Sequence, residues 1–162
     1  MNGDSGPKLR KRRVMRRRDA RRLKEEARAL LGAVEPNTVG QAEIDDGTIV
    51  YLLDGVVRLA RKDDTLFPTL TNPVLEGLPS VVVDMGAVPF VCNGADVMAP
   101  GIVEVQGKFE ESELVVVRDL RHGKALAVGK ALVASEEMRG MKKGKAVRNL
   151  HYVGDRIWKT IG

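Results

Sequence analysis

The stretch "VVVDMGAVPFVCNGADVMAPGI", residues Val81–Ile102, decides the fold. It holds two acidic residues and no basic ones, in a chain of which 30% of the residues are charged. Its first residues, Val81–Val83, predict a buried strand, and Asp84 is suited to cap a helix that follows. Its last part, "GADVMAPG" at residues 94–101, is bounded by glycines and predicts a loop that is exposed as a contact surface.

The helix predicted within this stretch runs from Gly86 to Asn93. Pro89 is compatible with it only in the first turn, where its missing N–H is not needed. Further strands are predicted in "ELVVVRDL" (113–120), "KALAVGKALVA" (124–134) and "RNLHYVGDRIWKTI" (148–161), with a short helix in "SEEMRG" (135–140) capped by Ser135. Many short strands with one or two inserted helices indicate a partly open β-barrel.

The preceding half predicts short strands joined by tight turns. Asp46-Gly47, Asp54-Gly55 and Asp63-Asp64 occupy turn positions, and "YLLDGVVRLA" (51–60) is a hairpin candidate. The proline-rich segment "FPTLTNPVLEGLPS" (67–80) fits a loop or short helix between two units. We therefore expect an α+β protein with an N-terminal unit at residues 1–79 and a C-terminal unit at residues 80–162.

A basic segment, "KLRKRRVMRRRDARRLKEEARALLG" (8–32), opens the chain after seven residues that predict a disordered start. An apolar stripe with spacings of 3, 4, 3 and 4 predicts an amphipathic helix that ends at Gly32; its members are Ala20, Leu23, Ala27, Leu30 and Val34. We interpret the segment as a helix whose front is a basic arm, and a flexible tail is the alternative. The arm residues are Arg12, Arg13, Arg16, Arg17, Arg18 and Arg21.

The charge distribution indicates a polyanionic partner. Residues 1–32 hold 12 basic and 4 acidic side chains, residues 33–120 hold 5 and 15, and residues 121–162 hold 10 and 3. Two separated basic blocks around an acidic middle favour contact with RNA or DNA. A solubilising face is the alternative interpretation.

Catalytic and metal-binding patterns are sparse. The chain has one cysteine, Cys92, and two histidines, His122 and His151, without the spacing of a zinc site. The segment "GKALAVGK" (123–130) differs in spacing from a phosphate-binding loop and predicts a strand. No cofactor, metal site or enzymatic activity is therefore predicted. The single cysteine and the lack of an apolar segment of membrane-spanning length favour a cytoplasmic location.

The motifs "VDMGAVPFVCNGADVMAPGI", "AVGKALVASEEM", "GKAV" and "LHYVGDRIW" resemble a PUA domain over about residues 79–162. The preceding half, with "EIDDGTIVYLLDG" and "LFPTL", is similar to the pre-PUA domain of one subgroup. That subgroup contains archaeal PUA proteins and relatives of the malignant T-cell amplified sequence protein and of ligatin-type initiation factors.

The resemblance implies an N-terminal α/β pre-PUA domain, a PUA pseudo-barrel with short flanking helices, and binding of tRNA or small-subunit ribosomal RNA in translation initiation or recycling. It implies the small ribosomal subunit and a SUI1-type protein as partners. The alternative is a docking subunit for a separate RNA-modification enzyme or ribosome biogenesis complex. The RNA-binding residues that it implies are Asn93, Gly94, Ala95, Asp96, Met98, Ala99, Pro100, Gly101, Lys145, Arg148 and His151. A structural histidine remains the alternative for His151, and purely structural glycines the alternative for Gly94 and Gly101.

Overall fold

A computed structural model describes residues 8–32 and 35–161. The strands are Arg10–Val14 (β1), Val39–Glu43 (β2), Ile49–Leu53 (β3), Val56–Lys62 (β4), Thr65–Pro68 (β5), Ser80–Val83 (β6), Val97–Met98 (β7), Ile102–Gln106 (β8), Leu114–Asp119 (β9), Ala125–Ala131 (β10) and Lys145–Tyr152 (β11). The α-helices are Arg17–Leu31 (α1), Val88–Val91 (α2), Ser135–Gly140 (α3) and Arg156–Ile161 (α4). Short 3-10 helices lie at Pro73–Gly77 and Ala99–Gly101.

The N-terminal sheet is an antiparallel meander in the order β1-β2-β3-β4-β5. The predicted hairpin within residues 51–60 is confirmed, and Asp54 and Gly55 at its tip have φ values of 51° and 83°. Both values are positive, as a two-residue turn matching the twist of the strands requires. Asp63 and Asp64, between β4 and β5, also have positive φ.

The C-terminal sheet has the order β7-β11-β10-β9-β6-β8, with β6 and β9 parallel. Its two edge strands, β7 and β8, are joined by the 3-10 turn at Ala99–Gly101. Because this connection is so short, the sheet must curl until its edges meet. The curled sheet with short helices confirms the predicted α+β class and partly open barrel.

Strands β2 to β5 of the N-terminal sheet have one face against the C-terminal sheet and one against α1, whereas the side chains of β1 at the sheet edge are exposed. On β3, Val50 and Leu52 join the core cluster that contains Val116 and Val128 of the barrel. Tyr51 points the other way and packs with residues of α1. The period-2 alternation of strands therefore produces the layer order α1, N-terminal sheet, C-terminal sheet.

The far face of the C-terminal sheet forms the barrel interior. Val115 and Val117 of β9 pack there with Val91 of α2 and Val97 of β7. The segment that follows α2 therefore covers the side of the barrel opposite the N-terminal sheet. The core cluster that contains Val50 and Val116 includes residues from both halves of the chain. The division into two domains at residue 79 therefore stays a prediction.

The interpretation of the basic segment as one continuous helix is wrong at its start. Residues Arg10–Val14 form β1, which pairs with β2 at the edge of the N-terminal sheet. The partner strand is about 30 residues away in sequence, a non-local contact that helical periodicity cannot reveal. The predicted end at Gly32, which has a φ of 88°, is confirmed, whereas Val34 of the predicted stripe and the predicted disordered start lie outside the described residues.

The prediction of a strand through residue 161 is also wrong. β11 ends at Tyr152, and α4 begins at Arg156. Asp155 starts this helix, because its carboxylate accepts a hydrogen bond of 2.7 Å from the Trp158 N–H, as a helix-capping residue does.

The two short barrel helices agree with the sequence in part. Pro89 lies in the first turn of α2, as predicted, but the helix covers only Val88–Val91 and its capping position is Ala87. The Asp84 carboxylate accepts a 2.9 Å hydrogen bond from the Ala87 N–H, in the turn that precedes the helix. At α3 the capping position is Ala134, while Ser135 is the first helical residue. The Ser135 hydroxyl accepts a hydrogen bond from the Phe109 N–H instead, so the predicted cap is wrong.

Candidate nucleic-acid interface

The loop between α2 and β8 forms an exposed rim on the barrel. Its outward side chains are Asn93, Ala95, Met98 and Pro100, and Met98 is 46% exposed. Ala99 of the predicted set is buried together with its neighbour Val97. We call the four outward residues, with the lysines 142, 143 and 145 described below, the loop surface.

The two glycines of the loop lie in tight contact with other parts of the protein. A Cβ on Gly94 would lie 3.2 Å from the Tyr152 hydroxyl, and its φ of 94° disfavours other residues. A Cβ on Gly101 would lie 3.2 Å from the Cβ of Ala87. At each glycine, the atoms that approach closely belong to this protein and leave little room for a ligand. This observation supports the interpretation that Gly94 and Gly101 are structural glycines.

Asn149 of β11 holds the loop in place. Its side-chain amide donates hydrogen bonds of 3.1 and 3.0 Å to the carbonyl oxygens of Val91 and Ala95. Asp96 accepts a 2.9 Å bond from the Asn149 N–H and forms a 3.4 Å ion pair with Lys145. Asp96 thus works as an internal anchor for the loop, with its carboxylate directed at β11.

Replacing Asn149 with Ala is expected to loosen the loop. The change leaves the carbonyl oxygens of Val91 and Ala95 without these partners, at about 1 kcal/mol for each lost hydrogen bond. We expect faster hydrogen exchange at the amides of Gly94 and Ala95. The matched control is Asn93→Ala, an exposed amide in the same loop; equal exchange in both variants contradicts the anchoring role.

A lysine-rich turn lies beside the loop. The Ala99 N–H donates a 2.8 Å hydrogen bond to the Gly144 carbonyl, and Lys145 is the register partner of Met98. Lys142 and Lys143 immediately precede this contact and are exposed. Neither forms an ion pair with a residue in the described ranges. Positive charge is therefore available at the edge of the loop.

Arg148 and His151 of β11 differ in accessibility. Arg148 is exposed and forms a 2.6 Å ion pair with Asp63 of the β4–β5 turn. His151 is fully buried. Its Nε2 accepts a 3.1 Å hydrogen bond from the Leu70 N–H, so its Nδ1 carries the proton donated to Asp155. The implied RNA contact at His151 is thus corrected, because this side chain joins the two sheets inside the core.

A second concentration of charge lies on β1 and the start of α1. All the predicted arm residues are exposed, Arg12 and Arg13 on the strand and Arg16, Arg17, Arg18 and Arg21 at the helix. We define the arginine surface as the exposed arginines of this region that form no ion pair with any residue in the described ranges. They are Arg10, Arg12, Arg13, Arg16, Arg17, Arg18, Arg21 and Arg22.

Other candidate chemistry is limited in the part of the chain that the structure describes. Among residues 8–32 and 35–161, no three His, Cys, Asp or Glu side chains are grouped so as to hold a metal ion. Burial raises the pKa of the Cys92 thiol, although the charge of Lys124 opposes the shift. Within the same ranges, no helix combines the length and apolar character that crossing a membrane demands.

Sequence reasoning missed the anchoring role of Asn149 and did not place Lys142 and Lys143 beside the loop. Three lysines within four residues indicate a local concentration of positive charge. Their position beside the loop depends on the pairing of β7 with β11, which the local sequence does not reveal. Nothing in the local sequence indicates the role of Asn149, because the carbonyl oxygens to which its side chain donates hydrogen bonds lie more than 50 residues away.

Comparison with known proteins agrees with this architecture. The family model of the PUA domain matches residues 79–153. A crystal structure of a PUA domain from Aeropyrum pernix superposes with a TM-score of 0.79 and 27% identity, covering 96% of this chain and 92% of that chain.

Three relatives extend the similarity beyond the barrel. An uncharacterized protein of Methanocaldococcus jannaschii is 42% identical over 162 residues, or 95% of this chain and 99% of that protein. Translation machinery-associated protein 20 of Saccharomyces cerevisiae is 32% identical over 122 residues, 70% of this chain and 67% of that protein. Malignant T-cell-amplified sequence 1-B of Xenopus laevis is 31% identical over 105 residues, 60% of this chain and 57% of that protein. The chain therefore belongs to the family of PUA-domain proteins that includes the Methanocaldococcus jannaschii protein and translation machinery-associated protein 20.

Proposed function

We propose that this protein is a non-catalytic RNA-binding factor of the translation machinery, and that its loop surface contacts tRNA or small-subunit ribosomal RNA. Family membership supports RNA binding in general. The observation that carries the assignment of the surface is the anchored loop beside unpaired lysines. A fixed, weakly charged rim flanked by positive charge is suited to a polyanion with a defined shape.

The chemistry of the loop surface fits recognition of RNA by shape. Lys142 and Lys143 supply charge for phosphate oxygens, and Met98 and Pro100 supply apolar contact to a ribose or a base edge. Aromatic residues make up only 4% of the chain, which disfavours a platform that stacks successive bases. Phosphate, 2′-hydroxyl and backbone contacts require no such platform.

The proposed setting is the cytoplasm, with the small ribosomal subunit as the larger partner. The name of translation machinery-associated protein 20 supports a role in translation. A SUI1-type protein partner is part of the same proposal. The N-terminal sheet would then position the barrel rather than act separately, because the two sheets share one core cluster.

A charge placed in the loop tests the assignment. Replacing Met98 with Glu is expected to weaken tRNA binding about tenfold, the size of a lost phosphate or base contact. The side chain is 46% exposed, so folding tolerates the change. Filter binding over a salt series gives the affinity and its salt dependence.

The matched control is Val56→Glu, because Val56 is also apolar and 40% exposed but lies at the β3–β4 hairpin. We expect this variant to bind tRNA like the wild type. Equal affinity for the wild type and both variants removes the loop surface from the proposal. Binding without salt dependence contradicts a phosphate-based contact.

A further inference from the structure

We propose that the arginine surface is a second RNA-binding site, separate from the loop surface, so that one molecule holds two segments of RNA. This inference builds on the proposed function, but its observations are independent of the loop. They are the contacts that join β1 and α1 to the N-terminal sheet, the position of these elements, and the charge of the exposed side chains.

The arginines lie on ordered elements with fixed positions. β1 pairs with β2, and the Met15 N–H donates a 2.9 Å hydrogen bond to the Val39 carbonyl between β1 and α1. Glu26 of α1 accepts two hydrogen bonds, of 2.6 and 3.0 Å, from Arg61 of β4. These contacts fix the backbone that carries the arginines, so that binding does not have to order a flexible arm.

The layer order separates the two surfaces. Leu23 and Ala27 of α1 pack on the outer face of the N-terminal sheet. The inner face of that sheet packs on the barrel, and the segment that includes Val91 and Val97 covers the far side of the barrel. Packed sheets lie about 10 Å apart. The arginine surface and the loop surface are separated by two such layer spacings, so they lie roughly 20 Å or more from each other. A short RNA segment bound at the loop therefore cannot contact both.

The composition of the surface matches phosphate. Every member is an arginine, whose planar guanidinium can donate two parallel hydrogen bonds to phosphate oxygens. Acidic side chains nearby are Asp19 and Glu25 on α1, and Glu43, which is paired with Lys11. Positive charge therefore prevails over these carboxylates.

Two other classes of partner fit less well. An interfacial membrane helix inserts an apolar face into the lipid, but the apolar face of α1 is already buried on the N-terminal sheet. A protein interface requires apolar or aromatic anchors at its centre. The large apolar side chain exposed on β1 is Val14, at 80%, and the described α1 side chains add only Leu30 at the opposite end of the helix. These observations favour RNA.

The stoichiometry of RNA binding tests the inference. A short RNA hairpin is titrated into the full chain at near-physiological salt, and native mass spectrometry counts the hairpins bound. We expect two hairpins on the wild type and one on the triple variant Arg17→Gln, Arg18→Gln and Arg21→Gln. The matched control is the triple variant Lys108→Gln, Arg121→Gln and Lys159→Gln, which loses the same charge from exposed side chains elsewhere and should still bind two.

Each outcome separates the inference from the proposed function. A wild type that binds one hairpin, with no loss in the arginine variant, overturns the second site. A Met98→Glu variant that still binds two hairpins overturns the loop assignment and leaves the arginine surface intact. If the arginine variant loses binding to phosphatidylserine vesicles but keeps both hairpins, the surface binds membrane and the inference is wrong.

Discussion

Replacing Asp155 with Ala is expected to lower the free energy of unfolding by about 3 kcal/mol, because several hydrogen bonds to a buried, charged carboxylate are lost. The carboxylate accepts hydrogen bonds from His151 Nδ1 at 2.8 Å and from the N–H groups of Tyr152 and Trp158 at 2.9 and 2.7 Å. The variant leaves one buried donor, His151 Nδ1, and two partly buried N–H groups without this acceptor. Denaturant unfolding followed by circular dichroism measures the change.

The same network predicts a dependence of stability on pH. Burial favours the neutral acid, but the hydrogen bonds that the carboxylate accepts from His151 and from the N–H groups of Trp158 and Tyr152 outweigh burial and lower the pKa of Asp155. A lowered pKa in the folded state means that the contribution is complete above the unfolded pKa of about 4 and is lost as pH falls through the folded pKa. The stability gap between the wild type and Asp155→Asn should therefore narrow in acid.

Asp45 provides the matched control for Asp155. It forms an ion pair of 3.1 Å with Arg156, and its side chain is 41% exposed. Exposed pairs contribute between about 0 and 1 kcal/mol, so Asp45→Ala should change stability little. If both variants unfold at the same denaturant concentration, the buried network does not have the role assigned to it.

Replacing Phe67 with Ala is expected to destabilise the whole molecule by about 3 to 5 kcal/mol, as truncation of a buried aromatic residue does. Phe67 lies on β5 of the N-terminal sheet and is fully buried. It belongs to the core cluster that also contains Val116 and Leu150 of the barrel. The cavity would therefore weaken the contact between the two sheets.

Tryptophan fluorescence tests whether this core is shared. The single tryptophan, Trp158, lies on α4 in the C-terminal half. We expect its unfolding transition to shift with the circular dichroism signal when Phe67 is replaced. The matched control is Phe90→Ala, whose ring is 67% exposed and should change stability by less than about 0.5 kcal/mol. An unshifted Trp158 transition in Phe67→Ala would show that the halves unfold independently.

Local patterns predicted much of this fold. The Asp-Gly turns require positive φ, Pro89 is restricted to a first turn, and Gly32 ends α1, so these features follow from the chemistry of single residues. The many short strands indicated a partly open barrel, and the family resemblance implied the same pseudo-barrel. What the sequence could not show was pairing between distant segments, such as β1 with β2.

The candidate site was predicted less completely for the same reason. The loop was located correctly as an exposed segment of the barrel, but the space beside Gly94 and Gly101 is filled by the protein itself. His151 lies in an apolar strand whose burial depends on the N-terminal sheet. Its role becomes clear only from its hydrogen bonds to Leu70 and Asp155.

Crosslinking of the protein to RNA in living cells, with mass spectrometric mapping of the linked peptides, tests the central claim most directly. The account predicts RNA-linked residues in the loop at positions 93–101 and in the lysine turn at positions 142–145, and further links on β1 and the start of α1. It also predicts that the recovered RNA is tRNA or small-subunit ribosomal RNA. Links that avoid the loop and the lysine turn, or the recovery of no RNA, would contradict it.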